Sequence, residues 1–262
     1  MGLIPKEPSS VGLDPRTSSF MIIGVPKSGK TTLACSAPNT LLIATEMGYR
    51  TIPGIHPVPV DTWDKFLAVI REARGETWIE RIVVDTFSKL AAMAQTKVCK
   101  DLDVSHPADS AYGKGWDRVK TYIMDGMTEL MALGKQVILI AHTQEVTRRS
   151  SSGEDRTVVT MDLPKAARKF VSAEIQATMY LTLEEDPRTL ATIRRLHFKG
   201  REDLEIGGRY LPGGEAPESI VIPELPEPGW AVVQDVLMRA FLPSGGEQKA
   251  RRRVVRRSKT DK

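Results

Sequence analysis

Residues Gly24-Val25-Pro26-Lys27-Ser28-Gly29-Lys30-Thr31 fill every fixed position of the pattern G-x-x-x-x-G-K-[ST]. They stand between the apolar run Phe20-Met21-Ile22-Ile23 and a helical segment. That placement constrains the fold more than any other feature of the chain. The two glycines let the backbone curl so that successive N–H groups face one polyphosphate, and the helix that follows adds the positive end of its dipole. Lys30 is placed to reach the β- and γ-phosphates of a nucleotide, and the Thr31 hydroxyl to meet Mg²⁺. Chance would produce the four fixed positions somewhere in a chain of 262 residues on the order of once in a hundred. The loop from Gly24 to Thr32, with Val25, Pro26, Lys27, Ser28 and Gly29 between, therefore reads as the cradle for ATP or a close relative.

A loop of this kind needs a strand before it and a sheet around it. Further short apolar runs supply one: Leu41 to Thr45, Arg81 to Asp85 and Gln136 to Ala141. Their apolarity is continuous rather than alternating, as strands covered on both faces require. Helical patterns separate them at Thr62 to Arg74, Thr86 to Leu102 and Trp116 to Leu133, with Gly134 as a stop. The spacing predicts an α/β fold with a mostly parallel central sheet flanked by helices. Antiparallel strands are expected late in the chain, at Ala177 to Leu183 and Thr189 to Phe198, with a turn at Asp186-Pro187-Arg188. A short helix is expected from Pro164 to Ser172 and a last one from Trp230 to Phe241. Glu145 to Thr157 reads as a mobile loop or hairpin tip, and Pro212 to Gly229 as loop. The chain divides into a flexible segment over 1–18, one domain over 19–242 and a tail over 243–262.

Three polar residues follow buried strands at the ends where such folds place their chemistry. Asp85 closes the third run, where it can hold the hydration shell of Mg²⁺ or cap the next helix. Glu46 follows the second run. It can orient or deprotonate an attacking water, or be an exposed loop acid. His142 follows the fourth run, as a sensor of the γ-phosphate or as a structural histidine.

Net charge is +4, but Lys249 to Lys262 holds eight Lys/Arg and one Asp, which leaves the rest of the chain at −3. This run has no apolar periodicity and reads as disordered by itself. It can contact nucleic-acid phosphates, or serve as a solvated tail that docks on an acidic partner. Cys35 and Cys99 lie outside any CxxC pattern and read as thiols in a reducing cytosol. No apolar run approaches the roughly 18 residues of a membrane span, and Met1 to Ser19 lacks the apolar core of a secretory signal.

The runs GVPKSGKTT at Gly24 to Thr32, LLIATE at Leu41 to Glu46, RIVVD at Arg81 to Asp85 and VILIAH at Val137 to His142 together resemble the RecA-like branch of P-loop ATPases. They are most similar to the compact phage RecA-like proteins of the Sak single-strand-annealing type, over roughly residues 19 to 211. The resemblance implies a RecA-like P-loop core that binds ATP and Mg²⁺, with Thr31 and Asp85 at the metal. It implies a catalytic glutamate at Glu46 and a γ-phosphate sensor at His142. Basic fingers that reach a neighbour's ATP fall on Lys199 and Arg201, and a segment that touches single-stranded DNA falls on Val146 to Thr157. The implied protein is a DNA-stimulated ATPase of recombination or annealing in the host cytoplasm. It works as a homo-oligomeric ring or filament with ATP at the subunit interface, and a single-strand binding protein is a further expected partner. A DnaB-like helicase motor or loader shares the core. A small-molecule P-loop kinase and a nucleotide-gated structural protein are the alternatives from other classes.

Overall fold

The computed structural model describes residues 12–149, 153–212, 214–224 and 229–242. Its strands are β1 (Ser19–Gly24), β2 (Thr40–Ala44), β3 (His56–Pro59), β4 (Arg81–Asp85), β5 (Gln136–Arg149), β6 (Asp155–Met161), β7 (Ala177–Glu185), β8 (Thr192–His197), β9 (Gly207–Gly208) and β10 (Ser219–Ile222). Its α-helices are α1 (Lys30–Cys35), α2 (Trp63–Ala73), α3 (Phe87–Leu102), α4 (Lys114–Met131), α5 (Lys165–Glu174) and α6 (Gly229–Phe241). The strands pair in the order β10-β8-β7-β1-β5-β4-β2-β3, while β6 joins β5 and β9 joins β7. The run from β7 to β3 is parallel throughout. Pairs involving β6, β8, β9 and β10 are antiparallel. The chain thus has the expected α/β architecture, a mostly parallel central sheet flanked by helices with antiparallel strands added late.

Both faces of this sheet are covered, which is why its strands are apolar at consecutive positions. Met21, Ile23, Ile82, Val84, Val137 and Leu139 face α2, α3, α4 and α5. Phe20, Ile22, Val83, Ile138 and Ile140 face α1 and α6. Helix α2 starts where the Thr62 hydroxyl accepts a hydrogen bond from the Lys65 N–H at 3.3 Å. Beyond α4 the chain turns at Gly134, whose φ of 66° is the left-handed conformation glycine adopts without a Cβ penalty.

Three expectations change. The segment Glu145 to Thr157 is largely the two arms of a hairpin: β5 runs on to Arg149, and β6 returns in register from Arg149↔Asp155 to Thr143↔Met161. Polar side chains disguise it, yet Thr143, Val146, Thr147, Thr157, Val158 and Val159 are β-branched and suit a ladder. Within Pro212 to Gly229, expected as loop, Ser219–Ile222 adds an antiparallel strand to β8. The expected flexible segment over 1–18 is fixed from residue 12 onward. Leu13 N–H donates to Phe241 O at 3.0 Å, and Gln136 Nε2 donates to Pro15 O at 2.6 Å. Residues 1–11 and the basic tail over 243–262 lie outside the described residues.

Strand β3 ends the sheet on one side. Val60 N–H donates to Ala44 O at 2.8 Å, so the even-numbered residues of this edge turn their backbone toward β2. The outward positions are Pro57 and Pro59, which have no N–H to offer. At the foot of the sheet, Arg81 is buried under α6. Its Nε donates to Gln136 Oε1 at 2.5 Å, its Nη1 to Thr40 Oγ1 at 3.2 Å, and its guanidinium lies 5.2 Å from the Trp230 ring. Burial pushes its pKa down to about 10. Among the described residues no helix is long and apolar enough to cross a membrane.

Candidate active site

The phosphate loop leaves β1 at Gly24 and enters α1 at Lys30. A Cβ on Gly24 would stand 2.6 Å from Leu181 O and 3.1 Å from Ser28 Oγ, so the strand end and loop are packed too closely for a side chain. Lys27 and Gly29 take left-handed φ values of 63° and 96°, which curl the backbone into a concave turn. Val25, Pro26 and Lys27 are exposed on the loop, Ser28 and Lys30 are buried, and Gly29, Thr31 and Thr32 are half-buried.

Lys30 folds its side chain back along the loop. Its Nζ donates to Gly24 O at 2.9 Å and to Val25 O at 2.7 Å. Burial lowers its pKa to about 8, against the attraction of Asp85 and Glu46. The ammonium is thus held by two neutral carbonyls, which stabilise it less than an anion would.

At the next residue, the Thr31 hydroxyl donates to Asp85 Oδ2 at 2.6 Å. Burial raises the Asp85 pKa, and the nearby Glu46 charge raises it further. The ends of β2 and β4 are clasped beside it. Thr45 N–H donates to Asp85 O at 2.7 Å, and Thr86 N–H donates to Thr45 Oγ1 at 2.8 Å. This clasp aims Glu46 into the same corner. Glu46 Oε1 accepts from the Thr86 hydroxyl at 3.1 Å, and it lies 3.5 Å from Lys89 Nζ and 3.9 Å from His142 Nε2. His142 pairs with Gly24 across β1 and β5, and its buried Nδ1 has no hydrogen-bond partner among the described residues. Lys30, Thr31, Asp85, Glu46 and His142 therefore converge at the C-terminal ends of four adjacent strands, the crevice where open α/β sheets bind ligands.

Lys199 and Arg201 stand elsewhere. Both are exposed on the turn after β8. Arg201 pairs with Asp203 at 3.4 Å and shares a cleft with Arg148, Arg149 and Arg156 of the β5–β6 hairpin. There Arg148 bridges to Glu205 at 2.7 Å, and Arg156 bridges to Glu202.

A different arginine meets the phosphate loop. Arg194, in the middle of β8, donates from Nε to Ser28 O at 3.2 Å. Adjacent arginines on a strand point to opposite faces. Here Arg195 turns to Glu184 at 2.8 Å, and Arg194 turns to the loop. Two adjacent arginines inside the short strand Thr192–His197 were the available signal. Lys89 was hidden on the polar face of its helix.

The residues fit the groups such loops bind. Thr31 and Asp85 present hard oxygen atoms that suit Mg²⁺, an ion held through one or two carboxylates plus phosphate oxygens. Among the described residues no cluster of His, Cys, Asp and Glu competes as a metal site. Lys30 and the curled backbone supply the positive cradle, and the buried Ser28 Oγ has no hydrogen-bond partner among the described residues.

The chain is 28% identical over 130 residues to the SPbeta prophage-derived uncharacterized protein YorG of Bacillus subtilis (strain 168), a match that covers 47% of this chain and 40% of that one. The chain thus spans well under half the length of that relative. A KaiC-like protein from Pyrococcus horikoshii OT3 superposes with a TM-score of 0.41 at 14% identity, over 79% of this chain and 90% of that one. Residues 16–210 match the family model described as the AAA domain, and they include the whole constellation around Lys30 and Asp85. The chain belongs to that AAA-domain family of P-loop NTPases.

Proposed function

We propose that this protein is an ATPase that acts on single-stranded DNA in phage recombination or annealing, in the cytoplasm of the host. The observation that supports hydrolysis is the corner shared by Glu46, Asp85, Thr31 and Lys30. In this reading Lys30 leaves the carbonyls of Gly24 and Val25 for the β- and γ-phosphates. Thr31 and Asp85 would hold Mg²⁺, which would supply positive charge against the phosphates. Glu46 orients the attacking water and receives its proton, while Thr86 and Lys89 keep the carboxylate in place. His142, 3.9 Å from Glu46 and at the root of the β5–β6 hairpin, links the γ-phosphate to that hairpin.

The DNA assignment draws on the resemblance to RecA-like proteins and the similarity to a prophage-derived protein. It draws also on the arginines of the hairpin cleft, which suit phosphate contact. Arg201 belongs to this cleft in its own chain. Lys199, exposed beside it, keeps the role of a finger toward a neighbour's ATP in a homo-oligomer.

The test is steady-state ATP turnover with and without single-stranded DNA. Wild type is expected to turn over ATP faster with DNA. Lys30→Ala should bind nucleotide weakly and lose turnover, and Glu46→Gln should bind ATP yet hydrolyse it about 10²- to 10⁴-fold more slowly. Normal hydrolysis by Glu46→Gln would remove the glutamate from its role. Phosphate transfer to a small molecule, without stimulation by DNA, would replace the proposal with a kinase.

A further inference from the structure

Single-strand binders combine basic grooves with aromatic platforms for the bases. The hairpin cleft supplies only the first, since its lining holds arginines and no aromatic ring. An aromatic platform stands elsewhere on the same end of the molecule. A groove of about 590 Å³ runs between α3, α4 and α5. Ala91 and Val119 form its floor, Trp116 forms one wall, and Lys120, Lys165 and Lys169 stand at its rim.

Trp116 is 42% exposed, which is unusual for a residue of its size. His106 meets its ring at an angle of 78°, 5.4 Å between centroids, and so braces it from one side. Among the described residues none of the three lysines has a carboxylate within ion-pair distance. Asp117 is the acid in the lining.

Topology puts this groove beside the active-site end. Helix α3 begins directly after Asp85, α4 runs back toward the foot of β5, and α5 follows Asp162, whose N–H donates to His142 O at 2.8 Å. The N-terminal halves of all three helices therefore lie at the end of the sheet that carries Glu46 and His142. Basic residues continue from one feature to the other. Lys165, Arg168 and Lys169 share a face of α5 by their i, i+3 and i+4 spacing. Arg168 lies close enough to Glu205 to help lower its pKa, alongside Arg148 of the hairpin cleft.

We propose that the groove between α3, α4 and α5 is a binding site for single-stranded nucleic acid, in which a base stacks on Trp116 while Lys120, Lys165 and Lys169 hold the flanking phosphates. The strand would continue past Arg168 to the hairpin arginines. This rests on the DNA-binding reading above and assigns it a second, aromatic contact. An acidic amphipathic peptide is the competing occupant of a groove with this lining.

Both are tested by titrating the full chain, with tryptophan emission and competition as readouts. Oligo(dT) is expected to quench wild-type emission, and Trp116→Leu should lose that quenching and bind about tenfold more weakly. Lys165→Gln and Lys169→Gln should each reduce the slope of log affinity against log salt by about 0.7. All three variants alter exposed side chains, and DNA-independent ATP turnover should stay at the wild-type level, which controls for folding. If oligo(dT) binds and depends on Arg148 and Arg156 but not on Trp116, the groove is not a nucleic-acid site, although the functional reading stands. If poly-glutamate displaces oligo(dT) from the groove or quenches Trp116 as strongly, the site belongs to an acidic peptide. If wild type binds no oligo(dT) at all, the functional reading fails first and the groove assignment with it.

Discussion

Lys30 keeps a positive charge where burial penalises it, and the consequence is measurable. Its pKa of about 8 in the free protein means that it begins to lose its proton just above neutrality. Bound phosphates demand the charged form, so binding above that pH must include uptake of a proton. Affinity for ATP should be flat below about pH 8 and fall by about tenfold per pH unit above it. Lys30→Met should bind weakly and show no such step when followed by calorimetry. The effect on stability has the opposite sense. The unfolded chain holds this proton to near 10.5, so the burial penalty is present below pH 8 and is relieved between there and 10.5. At this scale Gly24 to Thr31, Glu46, Asp85 and His142 were all legible, because each ends a strand or follows a fixed spacing. Arg194 was not. It contacts Ser28 from 166 positions away, a pairing made by the order of strands and not by any local pattern.

Helix α4 carries a glycine where none is needed for backbone freedom. A Cβ at Gly126 would come 2.5 Å from Trp63 Cζ2 on α2, so the gap is filled by an indole from the neighbouring element. Gly126→Ala should gain helix propensity yet lose stability by about 1–3 kcal/mol through overpacking, seen as a lower urea midpoint. The same change paired with Trp63→Phe should recover part of the loss. Elements with an apolar face were readable from periodicity, as α2 and α4 show. The β5–β6 arms were misread because their partners are each other, so polar side chains in solvent carry no inward stripe. Strand β10 was missed since a four-residue run inside Pro- and Gly-rich sequence gives too short a period to detect.

At the scale of the whole molecule, the C-terminal helix closes the fold around a buried charge. Trp230 Nε1 donates to Gln136 Oε1 at 3.2 Å, and Trp230 N–H donates to Ser36 Oγ at 2.8 Å, at the end of the helix that carries Lys30. Trp230→Ala would leave a cavity beside the Arg81 guanidinium. A loss of about 3–5 kcal/mol is expected, with a lower denaturation midpoint and an unchanged m-value. An altered m-value would instead mean that α6 detaches as a separate unit. The overall α/β plan was visible in advance because a buried parallel sheet leaves continuous apolar runs. The N-terminal anchor was not, as hydrogen bonds from Leu13 and Gln136 leave no trace in composition. Finally, Pro57 and Pro59 limit how copies of the chain can pair sheet to sheet. The β3 border offers no N–H donors to a second sheet, whereas the β10 border at the other end of the strand order is not closed by proline. Two copies joined by β10 would form a self-complementary pair whose far β3 borders both lack donors. Copies paired β10 to β10 would thus present no N–H donors at either far β3 border from which that row of sheets could be extended.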